Sequence, residues 1–142
     1  KTLIQSCSNL KIVSNVGVGF DNIDANLCTK MGIQVTNTPG ILNDAVADMS
    51  MALLLAIARR VPEGDRIVRS GGFKANFYHL LWGADLKGEN LGIIGMGSIG
   101  QDVAKRALPF GLNIKYHNRN RLSKVIESTL NAEWMQLQDL LK

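Results

Sequence analysis

Apolar residues in this chain follow two alternating patterns. Short runs bounded by glycine, asparagine or proline have the length of buried strands, and longer stretches repeat at helical spacing. Lys1 to Asn9 reads as the end of a helix, and Lys11 to Val16 as a strand running into Gly17-Val18-Gly19-Phe20-Asp21. Asp21 or Asn22 is placed to cap a helix through Cys28 and Lys30, which Gly32 ends. Ile33 to Thr36 predicts a second strand, and Thr38-Pro39-Gly40 breaks the chain. Asn43 then caps a long helix with Asp44 and Asp48 in its first turns. From Ala45 to Ile57 that helix is apolar nearly all round, so both faces are expected to be buried, between two domains or two subunits. Pro62 restarts it and Ser70-Gly71-Gly72 ends it.

The second half repeats the alternation more strictly. Phe73 to Asp85 is irregular and aromatic (Phe73, Phe77, Tyr78, Trp82), a loop that either packs on its own domain or reaches a partner subunit. Leu91, Ile93 and Ile94 predict a buried strand, and Ser98 to Leu108 a helix. Leu112 to His117 alternates as a strand near a sheet edge would. Leu122 to Leu130 is a weak helix, Ala132 to Met135 a short third strand, and Gln136 to Leu141 another helix. Strands alternating with helices predict an α/β fold with a doubly wound parallel sheet.

Between the first strand and helix of this half stand Gly95, Met96, Gly97, Ser98, Ile99 and Gly100, a G-x-G-x-x-G turn in the context that a dinucleotide site requires. Gly95 lets the chain turn off the strand, Gly97 removes a Cβ from the path of a pyrophosphate, and Gly100 lets the helix approach the sheet. Phosphates are then held by N–H groups at the helix start. Where an NAD enzyme places a ribose-binding carboxylate, this chain has Asn118, followed by Arg119 and Arg121. A neutral amide beside two guanidiniums suits a 2′-phosphate, so the expected cofactor is NADP(H) rather than NAD. The competing reading is a solvated basic turn through Lys124. The pair Gly17 and Gly19 offers a second nest of N–H groups, sized for a small anion such as a carboxylate, although spacing alone favours an empty turn.

A chain of 142 residues, 46% hydrophobic, is long enough for an ordinary globular core. The net charge of +4 raises nucleic acid as a partner, but there is no basic stripe with interleaved aromatics, so nucleic-acid binding is not expected. Cys7 and Cys28 lack metal spacing and are expected as reduced thiols in a cytoplasmic protein. Met49 to Ala58 is too short to span a bilayer, nothing resembles a signal peptide, and no membrane association is expected.

In order, Val16-Gly17-Val18-Gly19-Phe20-Asp21-Asn22-Ile23-Asp24, Gly32 to Gly40, Asn43 to Asp48, Leu53 to Arg59, and Leu86 to Asn90 leading into Gly95 to Gly100 resemble the D-isomer-specific 2-hydroxyacid dehydrogenases. The likeness is greatest to their glyoxylate/hydroxypyruvate reductases. It implies NADPH-dependent reduction of a small 2-keto acid, with a flavodoxin-like substrate domain and a Rossmann-type cofactor domain. Residues 1–40 would be the tail of the substrate domain, 41–71 the inter-domain crossover helix, and 72–142 the first half of the cofactor domain. Backbone N–H groups of Val16 and Gly17 would hold the substrate carboxylate, the Trp82 loop is similar to one reaching a partner's active site, and the full enzyme would be a homodimer. The family's catalytic Arg, acidic residue and His would lie beyond Lys142. His79 and His117 match none of them, so these residues alone are expected to be inactive. Corepressors of the same fold, in which the dinucleotide is a signal, are the rival reading.

Overall fold

In a computed structural model of the chain, residues 2–74 and 81–142 are described. They form two compact units, residues 1–42 and 43–142.

The first unit holds helix α1 (Thr2–Ser6), strand β1 (Ile12–Ser14), helix α2 (Ala25–Lys30) and strand β2 (Gln34–Thr36). The strands pair in parallel with Val13 opposite Val35, and Cys28 and Ile33 are buried. Helix α2 starts later than its candidate caps suggest. The N–H of Ile23 donates to the Phe20 carbonyl, so residues 20–23 close a turn of their own. Asp24, not Asp21 or Asn22, accepts the Leu27 N–H at 3.0 Å and caps the helix. Gly32, at φ +70°, provides the left-handed exit.

The second unit contains α3 (Asn43–Ala58), α4 (Val61–Arg69), β3 (Asn90–Ile94), α5 (Ser98–Ala107), a 3₁₀ turn at Leu108–Phe110, β4 (Asn113–His117), α6 (Lys124–Thr129), β5 (Ala132–Trp134) and α7 (Leu137–Leu140). Strands β3, β4 and β5 form a parallel sheet in that order, with Ile93 beside Tyr116 and Tyr116 beside Trp134. Strand β4 is therefore central, not near an edge. Its alternation has a different cause: Ile114 and Tyr116 enter the core from one face, while Lys115 on the other pairs with Glu133 of β5. On β3, a Cβ added to Gly92 would lie 3.3 Å from Leu140, so α7 covers the sheet closely there.

Helix α3 joins this core through Met51, and its Ala47 is buried as well, as are Ala104 and Ala107 of α5. Small residues let the two helices approach closely. Arg106 of α5 fastens the pair, with Nε donating to Asp48 at 2.6 Å and a terminal nitrogen to Asp44 at 2.8 Å. Among the described residues the expected double burial of α3 is not found. Val46, Met49, Leu53 and Ile57, spaced along one stripe, are exposed. Arg60, at φ +54°, separates α3 from α4, and Pro62 lies in the first turn of α4 where its missing N–H costs nothing. In the aromatic segment Phe73 and Trp82 are exposed, while Phe77, Tyr78 and His79 lie outside the described residues. No described helix is long and apolar enough to cross a membrane, and no described cluster of His, Cys, Asp or Glu could hold a metal ion.

Candidate functional site

The C-terminal ends of β3 and β4 open into a cleft of about 450 Å³, lined by Ile94, Gly95, Gly97, His117, Asn118 and Arg119 together with Asn120. The turn that makes one wall depends on glycine at defined points. Gly95 sits at φ +96°, which side-chain-bearing residues avoid, and its N–H donates to the His117 carbonyl at 3.0 Å. A Cβ on Gly100 would lie 2.4 Å from the Gly95 oxygen, so α5 rests directly on the turn. A Cβ on Gly97 would meet nothing within 4 Å; it would project from the wall of the cleft. Gly97 caps α5 without any side-chain bond. The first-turn N–H groups of Ser98, Ile99 and Gly100 have no acceptor one turn back, and they emerge at the positive end of the helix dipole. This end of the cleft fits a pyrophosphate.

Met96 departs from its expected place. Its side chain is fully buried and its N–H donates to Asn118 Oδ1 at 2.6 Å, so it fastens the turn and has no free donor for a ligand. Asn118 is likewise committed, with Nδ2 reaching back to the Met96 carbonyl at 3.4 Å. Its own carbonyl accepts the Trp134 indole N–H at 3.2 Å. His117 donates from Nδ1 to the Met135 carbonyl at 2.9 Å, with its ring 5.9 Å from that of Trp134. The residues after β4 are thus held on the glycine turn on one side and on β5 on the other.

Of the basic pair, the structure brings only Arg119 to the cleft, and Arg119 has no ion-pair partner among the described residues. Arg121 is turned away from it. Its Nε and a terminal nitrogen each donate at 2.8 Å to the two oxygens of Glu127 on α6. Glu127 is the one charged side chain buried among the described residues, and it also accepts the Tyr116 hydroxyl at 2.7 Å. That hydroxyl in turn accepts the Leu122 N–H at 2.9 Å. Sequence reasoning does not single out Tyr116, Glu127 or Trp134 as site residues. No local period links Glu127 to Arg121; an isolated acid beside an arginine-rich turn is the only available signal.

Arg121, then Tyr116, hold the Glu127 carboxyl at about 2, well below the usual carboxylate range. A carboxyl depressed on folding stabilises the fold above the unfolded value of about 4.5 and loses that contribution as pH falls towards 2. We expect the gap in melting temperature between the wild type and Glu127→Gln to narrow through this window. Melting curves between pH 7 and pH 2 test it, and a gap that stays constant contradicts it.

In the first unit, the loop after β1 turns its carbonyls inward. The Asn15 side-chain amide donates to Gly19 at 2.7 Å and Gly17 at 3.4 Å, that of Asn37 donates to Val18 at 2.9 Å, and the Thr38 N–H to Gly17 at 3.0 Å. The N–H groups of Val16, Gly17 and Val18 have no acceptor among the described residues, and Val16 is almost wholly exposed. With its acceptors satisfied and its donors free, this loop is suited to an anion.

Residues 51–142 match the family described as D-isomer specific 2-hydroxyacid dehydrogenase, NAD binding domain. The chain is 50% identical to the glyoxylate reductase of Pyrococcus horikoshii over 146 aligned positions, covering 100% of this chain and 43% of that protein. Among solved structures, the TT0316 protein of Thermus thermophilus superposes with a TM-score of 0.90 at 44% identity, covering 99% of this chain and 43% of that one. A glyoxylate reductase from Paecilomyes thermophila gives 0.83 at 36%, covering 99% and 42%. The chain spans less than half the length of the relatives it matches.

Proposed function

The chain belongs to the D-isomer specific 2-hydroxyacid dehydrogenases, and on that basis we propose that it serves NADPH-dependent reduction of a small 2-keto acid of the glyoxylate or hydroxypyruvate type. The observation that carries this reading is the cleft at Gly95–Gly100, where an open glycine wall and a helix start face Arg119 with no carboxylate between them. In it, N–H groups of Ser98, Ile99 and Gly100 hold the pyrophosphate, and Arg119 meets the 2′-phosphate. Bound there, the cofactor supplies hydride. The N–H groups of Val16 and Gly17 bind and orient the substrate carboxylate, with residues 1–40 as substrate-domain chain, 41–71 as the crossover segment and 72–142 as cofactor-domain chain.

The same reading makes the protein a cytoplasmic homodimer. The exposed stripe Val46, Met49, Leu53 and Ile57 on α3 is an apolar surface suited to a second copy, and both cysteines are free thiols, as in a reducing compartment.

Calorimetric titration with NADPH and NADH, on the protein with its natural termini, tests the cofactor. NADPH is expected to bind tighter, and Arg119→Ala to weaken NADPH by roughly tenfold or more while leaving NADH unchanged. A wild type that prefers NADH, or an Arg119→Ala variant that keeps the NADPH preference, contradicts the assignment.

A further inference from the structure

The pairing of Arg121 with Glu127 leaves a question that the cofactor reading does not answer. A basic residue in the turn that reads a 2′-phosphate is expected to face the phosphate, yet Arg121 does not line the cleft. Both oxygens of Glu127 are taken by its guanidinium, and the Glu127 side chain is only 9% exposed. The Nε edge of Arg121 is already filled, and the guanidinium is held on α6 instead of over the cleft. Around this pair, Tyr116 donates to Glu127 and accepts from Leu122, which follows Arg121 directly. Lys124 adds a further positive charge near the carboxylate.

The turn therefore has separate anchors at its two ends. At its start, Asn118 is held by the Met96 backbone and by Trp134. At its end, Arg121 and Leu122 are held through Glu127 and Tyr116. Arg119 and Asn120 lie between them and line the cleft. We propose that Glu127 is a positioning residue for cofactor choice: by latching Arg121 to α6 it fixes the turn so that Arg119 alone meets the 2′-phosphate. Arg121 is then part of the latch and not a ligand. The inference rests on the NADPH reading, and it assigns to α6, outside the cleft, control over which dinucleotide is taken.

The two anchors predict a selective effect. Loss of the latch loosens the Arg119 side of the turn but leaves Asn118 and the glycine wall in place, so NADPH suffers and NADH does not. Dissociation constants for both dinucleotides, measured by calorimetry on the protein with its natural termini, read this directly. Glu127→Ala is expected to weaken NADPH by roughly tenfold with NADH unchanged. Arg121→Ala is expected to do the same, and the double variant to be no worse than either single one, because both remove one latch. Glu127→Gln, which offers Arg121 one acceptor where the carboxylate offered two, should weaken NADPH by a smaller factor than Glu127→Ala with NADH unchanged, and it serves if the alanine variant folds poorly. If Arg121 is itself a ligand, freeing it by Glu127→Ala will maintain or raise NADPH affinity while Arg121→Ala lowers it; that outcome overturns the proposal. An equal loss for NADPH and NADH also overturns it, since the pair would then be structural only. A wild type with no preference for NADPH defeats the cofactor reading itself, before any variant is compared.

Discussion

Gly100→Val is expected to lose dinucleotide binding altogether and to destabilise the second unit by about 3 kcal/mol. The obstacle is backbone, not a movable side chain. A Cβ at position 100 would stand 2.4 Å from the Gly95 oxygen and 3.2 Å from its carbonyl carbon, with Ile93 Cγ2 at 3.4 Å. Relief requires α5 to lift off the turn. That movement would separate the first-turn N–H groups of Ser98 and Ile99 from the cleft and strain the bond between Met96 and Asn118. Thermal unfolding and titration with NADPH measure the two losses separately. Gly97→Ala is the useful contrast: its Cβ enters open space, so it should spare stability and affect binding alone. Wild-type affinity in Gly100→Val would mean that the helix start does not hold the cofactor.

Tyr116→Ala carries the other large effect, a destabilisation of about 4 kcal/mol. Tyr116 is completely buried in the middle strand, in the cluster that includes Met96, Ile114 and Leu130. Removing the ring leaves a cavity between β4 and α6, and removing the hydroxyl leaves the Leu122 N–H without its acceptor. Tyr116→Phe separates these contributions. It keeps the ring and should cost about 1–2 kcal/mol, the share of the two hydrogen bonds to Glu127 and Leu122. Chemical denaturation of both variants checks the division. Equal losses in the two would show that the hydroxyl network, and not packing, dominates at this position.

Much of the architecture was legible from local signals. Gly32 and Gly95 both have positive φ where the chain was expected to turn, and Pro62 restarts a helix as its missing N–H requires. The order of strands and helices in both units follows the alternation of apolar runs. Local signals failed where a neighbour distant in sequence decides. The period of two in Leu112 to His117 gave the strand but not its central place, because a core on one face and a Lys115–Glu133 pair on the other produce the same pattern as an edge. Asp24 replaced Asp21 and Asn22 as cap because a preceding turn at Phe20–Ile23 had already used those residues.

The site divides in the same way. The sequence by itself determined the glycine turn, the helix start behind it and the absence of a carboxylate at position 118, since each depends on residue type and spacing along one stretch of chain. Only the tertiary structure decided what the polar side chains near that turn do. Met96 and Asn118 fasten each other, Arg119 faces the cleft, and Arg121 is turned onto Glu127. The physical reason is that a guanidinium goes to the carboxylate that folding brings within hydrogen-bond range. Which carboxylate that is depends on how α6 packs over β4, a non-local arrangement that no period in the sequence encodes.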